Sequence, residues 1–175
     1  MKVIQTSDSQ YQDQITALYI EAFSTGLSKQ HIDLPGLQAY LDLIVEKGYA
    51  LLAIEDGLVI GTILCSPLSI DKLLPEDISK NYSIDKCVYV AEMVVSELKR
   101  GKGIGSQLLN EFFKTVDKSL YTDAFIRVWD ENIPAISLYK KVGFEPVAAI
   151  KQTKTKADGS GTFVMQKIYL HKKLD

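Results

Sequence analysis

Residues Cys87–Val95 form an apolar run of nine residues interrupted by one charge, Glu92, and a glycine-rich stretch follows almost directly. A run of that length with a single charge suits a central strand covered on both faces. Beyond the glycines, Ile104, Leu108, Leu109, Phe112, Phe113 and Val116 recur every three to four residues, which predicts an amphipathic helix with its apolar stripe against that strand. A strand that needs cover on both faces, followed by a helix that supplies it on one, commits the chain to a layered α/β architecture.

The remaining elements arrange themselves around this pair. A short strand is predicted near Lys2–Gln5. Ser9 can cap a helix carrying Tyr11, Ile15, Leu18, Tyr19, Ala22 and Phe23, and Gly26 marks the loop after it. Pro35-Gly36 opens a second helix with Leu37, Tyr40, Leu41 and Ile44 on one stripe, closing at Lys47-Gly48. Tyr49–Ile54 and Leu58–Leu64 flank Asp56-Gly57, a strong hairpin signal, while Leu73–Asn81, containing Pro75, reads as a loop with one helical turn. Downstream come a strand at Phe125–Trp129, a helix capped by Asn132 that runs to Val142 and stops at Gly143, and two last strands, Phe144–Thr153 and Thr162–Leu170. The alternating Lys/Thr stretch Lys151–Lys156 reads as a solvated sheet edge. The expected fold is one α/β domain over 175 residues, a mixed sheet of about seven strands with helices on both faces.

Charge and cysteine usage exclude several functions. Twenty basic residues stand against 22 acidic ones, a net charge of −2 with no long run of either sign, which disfavours a nucleic-acid-binding surface. Cys65 and Cys87 each lie inside apolar segments with no metal-ligand spacing, as expected of small buried thiols in a reducing compartment. His31 and His171 are the only histidines, so no metal is expected. Neither a signal peptide nor a membrane span is predicted, and the default location is the cytoplasm.

The chemistry concentrates in two segments. Arg100-Gly101-Lys102-Gly103-Ile104-Gly105-Ser106 leads a buried strand into a helix. Glycines there let the backbone turn tightly and present N–H groups, and the helix N-terminus adds partial positive charge, so a phosphate can be held without a basic surface. A tight turn without a ligand is the alternative. The stretch fails the Walker pattern, because Gly101-Lys102 is followed by Gly103, and fails G-x-G-x-x-G, because Ser106 and Leu108 stand where the third glycine belongs. It satisfies [RQ]-x-x-G-x-[GA] and resembles the acetyl-CoA pyrophosphate loop of the GNAT superfamily of N-acetyltransferases. The second segment, Asn132-Ile133-Pro134-Ala135-Ile136-Ser137-Leu138-Tyr139-Lys140-Lys141-Val142-Gly143-Phe144, is similar to the family pattern N-x-x-A-x-x-[LF]-Y-x-x-x-G-F at every specified place. On its own, Tyr139 would read as a core aromatic.

The resemblance implies a set of roles. Backbone groups of Met93, Val94 and Val95 would pair with the pantetheine arm of acetyl-CoA, and the amides of Gly101, Lys102, Gly103, Ile104, Gly105 and Ser106 would hold its pyrophosphate with help from Arg100. Asn132 would contact the cofactor, and the Tyr139 hydroxyl would reach its sulfur as general acid. The cofactor core would span residues 87–144, with an acceptor-selecting part at 9–48 and a closing hairpin at 144–171. Glu92 is the visible candidate for the general base, since burial would raise its pKa; pairing with a lysine, or reaching solvent where the sheet splays, fits it equally. The family's frequent base positions are Ala91 and Tyr89 here, and strand alternation places Glu92 on the opposite face from both. Arg127 stands where acetyltransferases of peptide α-amino groups carry Glu, which counts against ribosomal-protein N-termini as substrate. The wording of the second segment is nearest to bacterial polyamine or other small-amine acetyltransferases. Glu21, His31 and Asp33 could attract a cationic amine or serve only as loop polarity. The expected function is acetyl transfer to a small primary amine such as a polyamine, by a monomer or homodimer. A protein or peptide acetyltransferase and a non-catalytic acyl-CoA-binding module are the alternatives.

Overall fold

The computed structural model describes residues 1–175. Its strands are β1 (Lys2–Thr6), β2 (Tyr49–Glu55), β3 (Leu58–Pro67), β4 (Cys87–Val95), β5 (Asp123–Trp129), β6 (Glu145–Thr155) and β7 (Thr162–Lys173); its helices are α1 (Gln12–Ile20), α2 (Leu34–Lys47), α3 (Glu76–Asn81), α4 (Ile104–Thr115) and α5 (Ile133–Lys141). One sheet of seven strands has the order β1-β2-β3-β4-β5-β7-β6. Only β4 and β5 are parallel; a parallel pair needs a long crossover, and α4 supplies it.

Local chemistry explains most boundaries. Asp56 and Gly57 both take positive φ, 52° and 81°, the backbone of a two-residue hairpin turn whose twist matches its strands. The Asp33 carboxylate accepts from the Gly36 N–H at 3.0 Å and so caps α2. The first helix departs from expectation: Asp8 rather than Ser9 is the cap, accepting from Gln10 N–H at 2.9 Å. The helix also does not run evenly to Phe23. It begins as a 3₁₀ turn at Ser9–Tyr11 and ends in a π-helical turn at Glu21–Thr25. There the Ser24 and Thr25 hydroxyls donate to the carbonyls of Ile20 (2.6 Å) and Glu21 (2.7 Å), and competition of this kind bends helices.

Helices cover both faces of the sheet. Leu108, Leu109 and Phe112 of α4 pack with Val88, Val90 and Ile126 on one side; Leu18 of α1 and Leu41 and Ile44 of α2 pack with Tyr89, Phe125 and Tyr169 on the other. Phe112 is fully buried, so Phe112→Ala should lower unfolding stability by about 3–5 kcal/mol. In urea titration its midpoint should fall with the slope unchanged.

β6 forms the outer edge, as the Lys/Thr alternation suggested, but that edge is neither open nor wholly solvated. The α1–α2 loop lies along its end: the His31 N–H donates to the Thr155 carbonyl and the Ala157 N–H to the Lys29 carbonyl, both at 2.8 Å, around a bridge between Gln30 and Lys156. The period of two turns Gln152 and Lys154 inward, where both are half-buried. Cys65 and Cys87 are free and buried, and burial pushes the Cys65 thiol up to about 12. No helix is long and apolar enough to cross a membrane.

Candidate active site

β4 and β5 are paired only over Cys87–Val90 and Asp123–Ile126. From Ala91 and Arg127 onward they diverge, because β4 stays with β3 as far as Val95 while β5 stays with β7 as far as Trp129. The gap holds a small cavity of about 90 Å3, lined by residues that include Glu92, Met93, Arg127, Asn132, Tyr139 and Lys167. Several of these also line one of two larger hollows that flank the gap.

On one side is a groove of about 700 Å3 running from the start of α4 to Tyr139. Gly101 and Gly103 take φ values of 75° and 79°, a left-handed backbone that other residues adopt only with strain. Gly103 is the N-cap of α4 and no side chain caps that end, unlike α2 and α5, which Asp33 and Asn132 cap. The first-turn N–H groups of this helix therefore face the groove without a side-chain partner, joined there by the positive end of the helix dipole. Met93, Val94, Val95, Arg100, Gly101, Gly103, Ile104, Gly105, Ser106 and Asn132 all line the groove. Lys102 does not; it is exposed, while Lys99, not singled out from sequence, takes a lining place and pairs with Glu55. The Arg100 Nε donates to the Val95 carbonyl at 3.1 Å, bracing the loop against the strand.

Tyr139 is buried yet borders both the groove and the gap. Burial first, then the nearby Glu92 carboxylate, hold its pKa well above that of an ordinary tyrosine. A phenol so placed keeps its proton at any physiological pH and has it to donate. Asn132 accepts from the Ala135 N–H at 3.3 Å, which caps α5 and orients the helix that carries Tyr139.

Glu92 lies on a different face from the one alternation predicts. Leu64 is opposite Glu92 while its neighbour Cys65 is opposite Val90, so Ala91 is an extra residue in β4. A bulge of this kind reverses the in–out order of everything after it. Cys87, Tyr89 and Ala91 face α1 and α2, and past the bulge so do Glu92 and Val94. The Tyr40 hydroxyl of α2 donates to Glu92 Oε1 at 3.0 Å. Burial raises the Glu92 pKa above the usual carboxylate range, opposed by Lys167, the Tyr40 hydrogen bond, Arg127 and Lys154.

Glu92 opens into the second hollow, about 370 Å3, whose lining includes Tyr19, His31, Tyr40, Arg127, Lys154 and Lys167. Arg127 contacts both oxygens of Asp71 at 3.1 Å and donates to the Tyr169 hydroxyl at 2.9 Å, so its charge is balanced by a buried carboxylate. Of the three polar residues singled out between residues 9 and 48, His31 and Asp33 line this hollow. Glu21 does not: its Oε1 accepts from the Glu97 N–H at 2.7 Å and the Ser96 hydroxyl at 3.2 Å, tying the end of α1 to the exit of β4. Sequence reading missed Tyr40, Lys154 and Lys167. The signal for Lys167 was its place two residues from Met165 and from Tyr169, both buried on the inner face of β7.

The sequence profile described as the Acetyltransferase (GNAT) family matches residues 12–144. The chain belongs to that family. Among curated relatives, YobR of Bacillus subtilis, an uncharacterised N-acetyltransferase, is 36% identical over 59 residues, which are 34% of this chain and 24% of YobR. The matched stretches cover between about a quarter and a half of the curated relatives' lengths. Two solved structures share the fold. The ribosomal-protein-alanine N-acetyltransferase of Brucella melitensis superposes with a TM-score of 0.74 at 20% identity, covering 99% of this chain and 100% of that one. The yncA protein of Salmonella typhimurium, solved with its cofactor acetyl-CoA, gives 0.71 at 18% identity, covering 100% and 95%. These two likenesses support the GNAT fold, a mixed seven-stranded sheet with helices on both faces.

Proposed function

We propose that this protein transfers the acetyl group of acetyl-CoA to the primary amine of a small molecule, with Glu92 as general base and Tyr139 as general acid. The observation that carries the reading is the β4–β5 gap, where a phenol that also lines the groove at the uncapped start of α4 meets a carboxylate reached from the other hollow. The residues fit the cofactor. Left-handed glycines and the open amides of α4 would hold its pyrophosphate, Arg100 would add charge, and β4, unpaired on its β5 side past Val90, would offer its backbone at Met93–Val95 to the pantetheine arm. Acetyl-CoA supplies a thioester whose carbonyl carbon bonds to the amine nitrogen as the C–S bond breaks, its electron pair leaving with sulfur.

The protein's own groups handle the protons. An ammonium cannot attack, so Glu92 must take one proton, and a carboxylate of raised pKa is a stronger base than an exposed one. Tyr139, whose hydroxyl donates to no protein group, would hydrogen-bond the departing sulfur and pass it a proton as the C–S bond breaks, regaining one from solvent through the groove. A backbone N–H of β4 would steady the oxyanion.

The size of the acceptor hollow, about 370 Å3, supports a small molecule over a peptide, and the loop hydrogen-bonded onto the β6 end borders it at Gln30 and His31. In this reading residues 87–144 hold the cofactor, residues 9–48 and the hairpin at 144–171 select the acceptor, and a polyamine is one acceptor to test. The purified protein, given acetyl-CoA and a panel of primary amines and amino acids, should release CoA thiol with at least one of them. No release with any small amine, lysine peptide or N-terminal peptide would leave a non-catalytic acyl-CoA-binding module.

A further inference from the structure

The acceptor hollow has an uneven charge balance. Three of its cations, Arg127, Lys154 and Lys167, come from β5, β6 and β7; Arg127 is ion-paired with Asp71, while Lys154 and Lys167 feel the Glu92 charge without contacting it. Neither Lys154 nor Lys167 forms an ion pair or donates a side-chain hydrogen bond, although both are half-buried. Of the two carboxylates, Asp33 is engaged in capping α2, and Glu92 is held by Tyr40 on the α2 side. The remaining ionisable groups facing the hollow are His31 and the phenols Tyr19 and Tyr40. Two ammonium groups kept half out of water without a partner destabilise each other and favour an anion between them. Consistent with this, burial and the neighbouring Arg127 and Lys154 charges lower the Lys167 pKa to about 8, against the pull of Glu92.

We propose that the acceptor is an amino carboxylate, a small molecule whose amine is met by Glu92 and whose carboxylate is held by Lys154 and Lys167. This rests on the acetyltransferase reading above and narrows it. The lysines would position the amine against the base by anchoring the other end of the same molecule, and a volume of about 370 Å3 suits an amino acid with a medium side chain. A polyamine would instead bring further cations against two unpaired lysines, an unfavourable juxtaposition.

The test compares matched pairs that differ only in the carboxylate: phenylalanine with phenethylamine, methionine with 3-(methylthio)propylamine, and leucine with isopentylamine, with spermidine alongside. In the CoA-release assay at least one amino acid should exceed its decarboxylated partner by about 10- to 100-fold in kcat/KM, the range of a charge-assisted contact. Lys154→Met with Lys167→Met should erase the preference chiefly through KM, and Lys154→Glu with Lys167→Glu should turn it towards spermidine. Amines equal to or better than their amino acids would overturn the proposal while leaving the acetyltransferase reading intact, as would activity confined to peptides with acidic residues. A binding arm needs no turnover: with the protein saturated in CoA, the N-acetyl amino acids should bind at least tenfold more tightly than the N-acetyl amines by calorimetry, and the Met variant should lose that difference. Preferential binding without any transfer would sink the enzymatic reading and keep the pocket assignment. No preference in binding or in turnover would overturn it.

Discussion

Tyr139→Phe is expected to lower kcat by about 100- to 10,000-fold, the usual range for removing a general acid, with the dissociation constant of CoA nearly unchanged. The substitution removes one oxygen and almost no volume. The phenol ring is buried against Phe144, at a centroid distance of 6.3 Å and near-perpendicular, and that packing survives in phenylalanine. The hydroxyl has no protein partner to orphan, so unfolding stability should hold to within about 0.5 kcal/mol. A pre-steady-state burst would separate chemistry from product release. An unaltered turnover with the best acceptor would remove Tyr139 from the reaction and return it to the core.

Glu92→Gln is expected to cost about 100- to 10,000-fold in kcat/KM at neutral pH. Its amide oxygen can still accept the Tyr40 hydrogen bond, so the loss is of charge rather than of shape. Wild-type kcat/KM should fall as pH drops through the raised Glu92 pKa, because only the ionised carboxylate accepts a proton, and the glutamine variant should lack that limb. Stability should move the other way. A carboxyl whose pKa is raised in the folded state binds its proton more tightly there than in the unfolded chain. Its favourable contribution is thus present below the unfolded value of about 4.3 and is lost as pH rises through the folded one. Above the folded value the wild type holds an unfavourable buried charge that the glutamine variant lacks, so there the variant should melt at an equal or higher temperature. An inactive variant with a lowered melting temperature would point to a structural role for Glu92 instead.

The cofactor side of the site was legible in the residues because its determinants are contiguous. Gly101 and Gly103 need only their own backbone freedom, the stripe from Ile104 to Val116 needs only helical spacing, and Asn132 and Tyr139 share one helix. Seven strands and the cover on both faces followed from the same periodicities. Lys102 is exposed and its side chain does not line the groove, since nearness along the chain does not fix which way a loop side chain points. The cap of the first helix moved from Ser9 to Asp8 for an equally local reason, since both side chains are competent and adjacent.

The acceptor side was a matter of tertiary structure alone. Alternation along β4 assigns Glu92 to the wrong face, and only the pairing with β3 reveals that Ala91 is a bulge. A bulge is defined by two strands together, so one strand's pattern cannot announce it. Lys154 belongs to a stretch that reads as a solvated edge, and only the β6–β7 pairing and the bridge to the loop at Gln30 set it and Lys167 beside one hollow. Tyr40, Glu92, Arg127, Lys154 and Lys167 come from five different elements. The sequence by itself determined that this chain builds a glycine turn into a helix and sets a tyrosine on the next one, because helical period and glycine torsions are local physics. Which carboxylate faces that tyrosine, and what charge the acceptor meets, depended on strand register and long-range packing, where energy comes from partners far away in sequence.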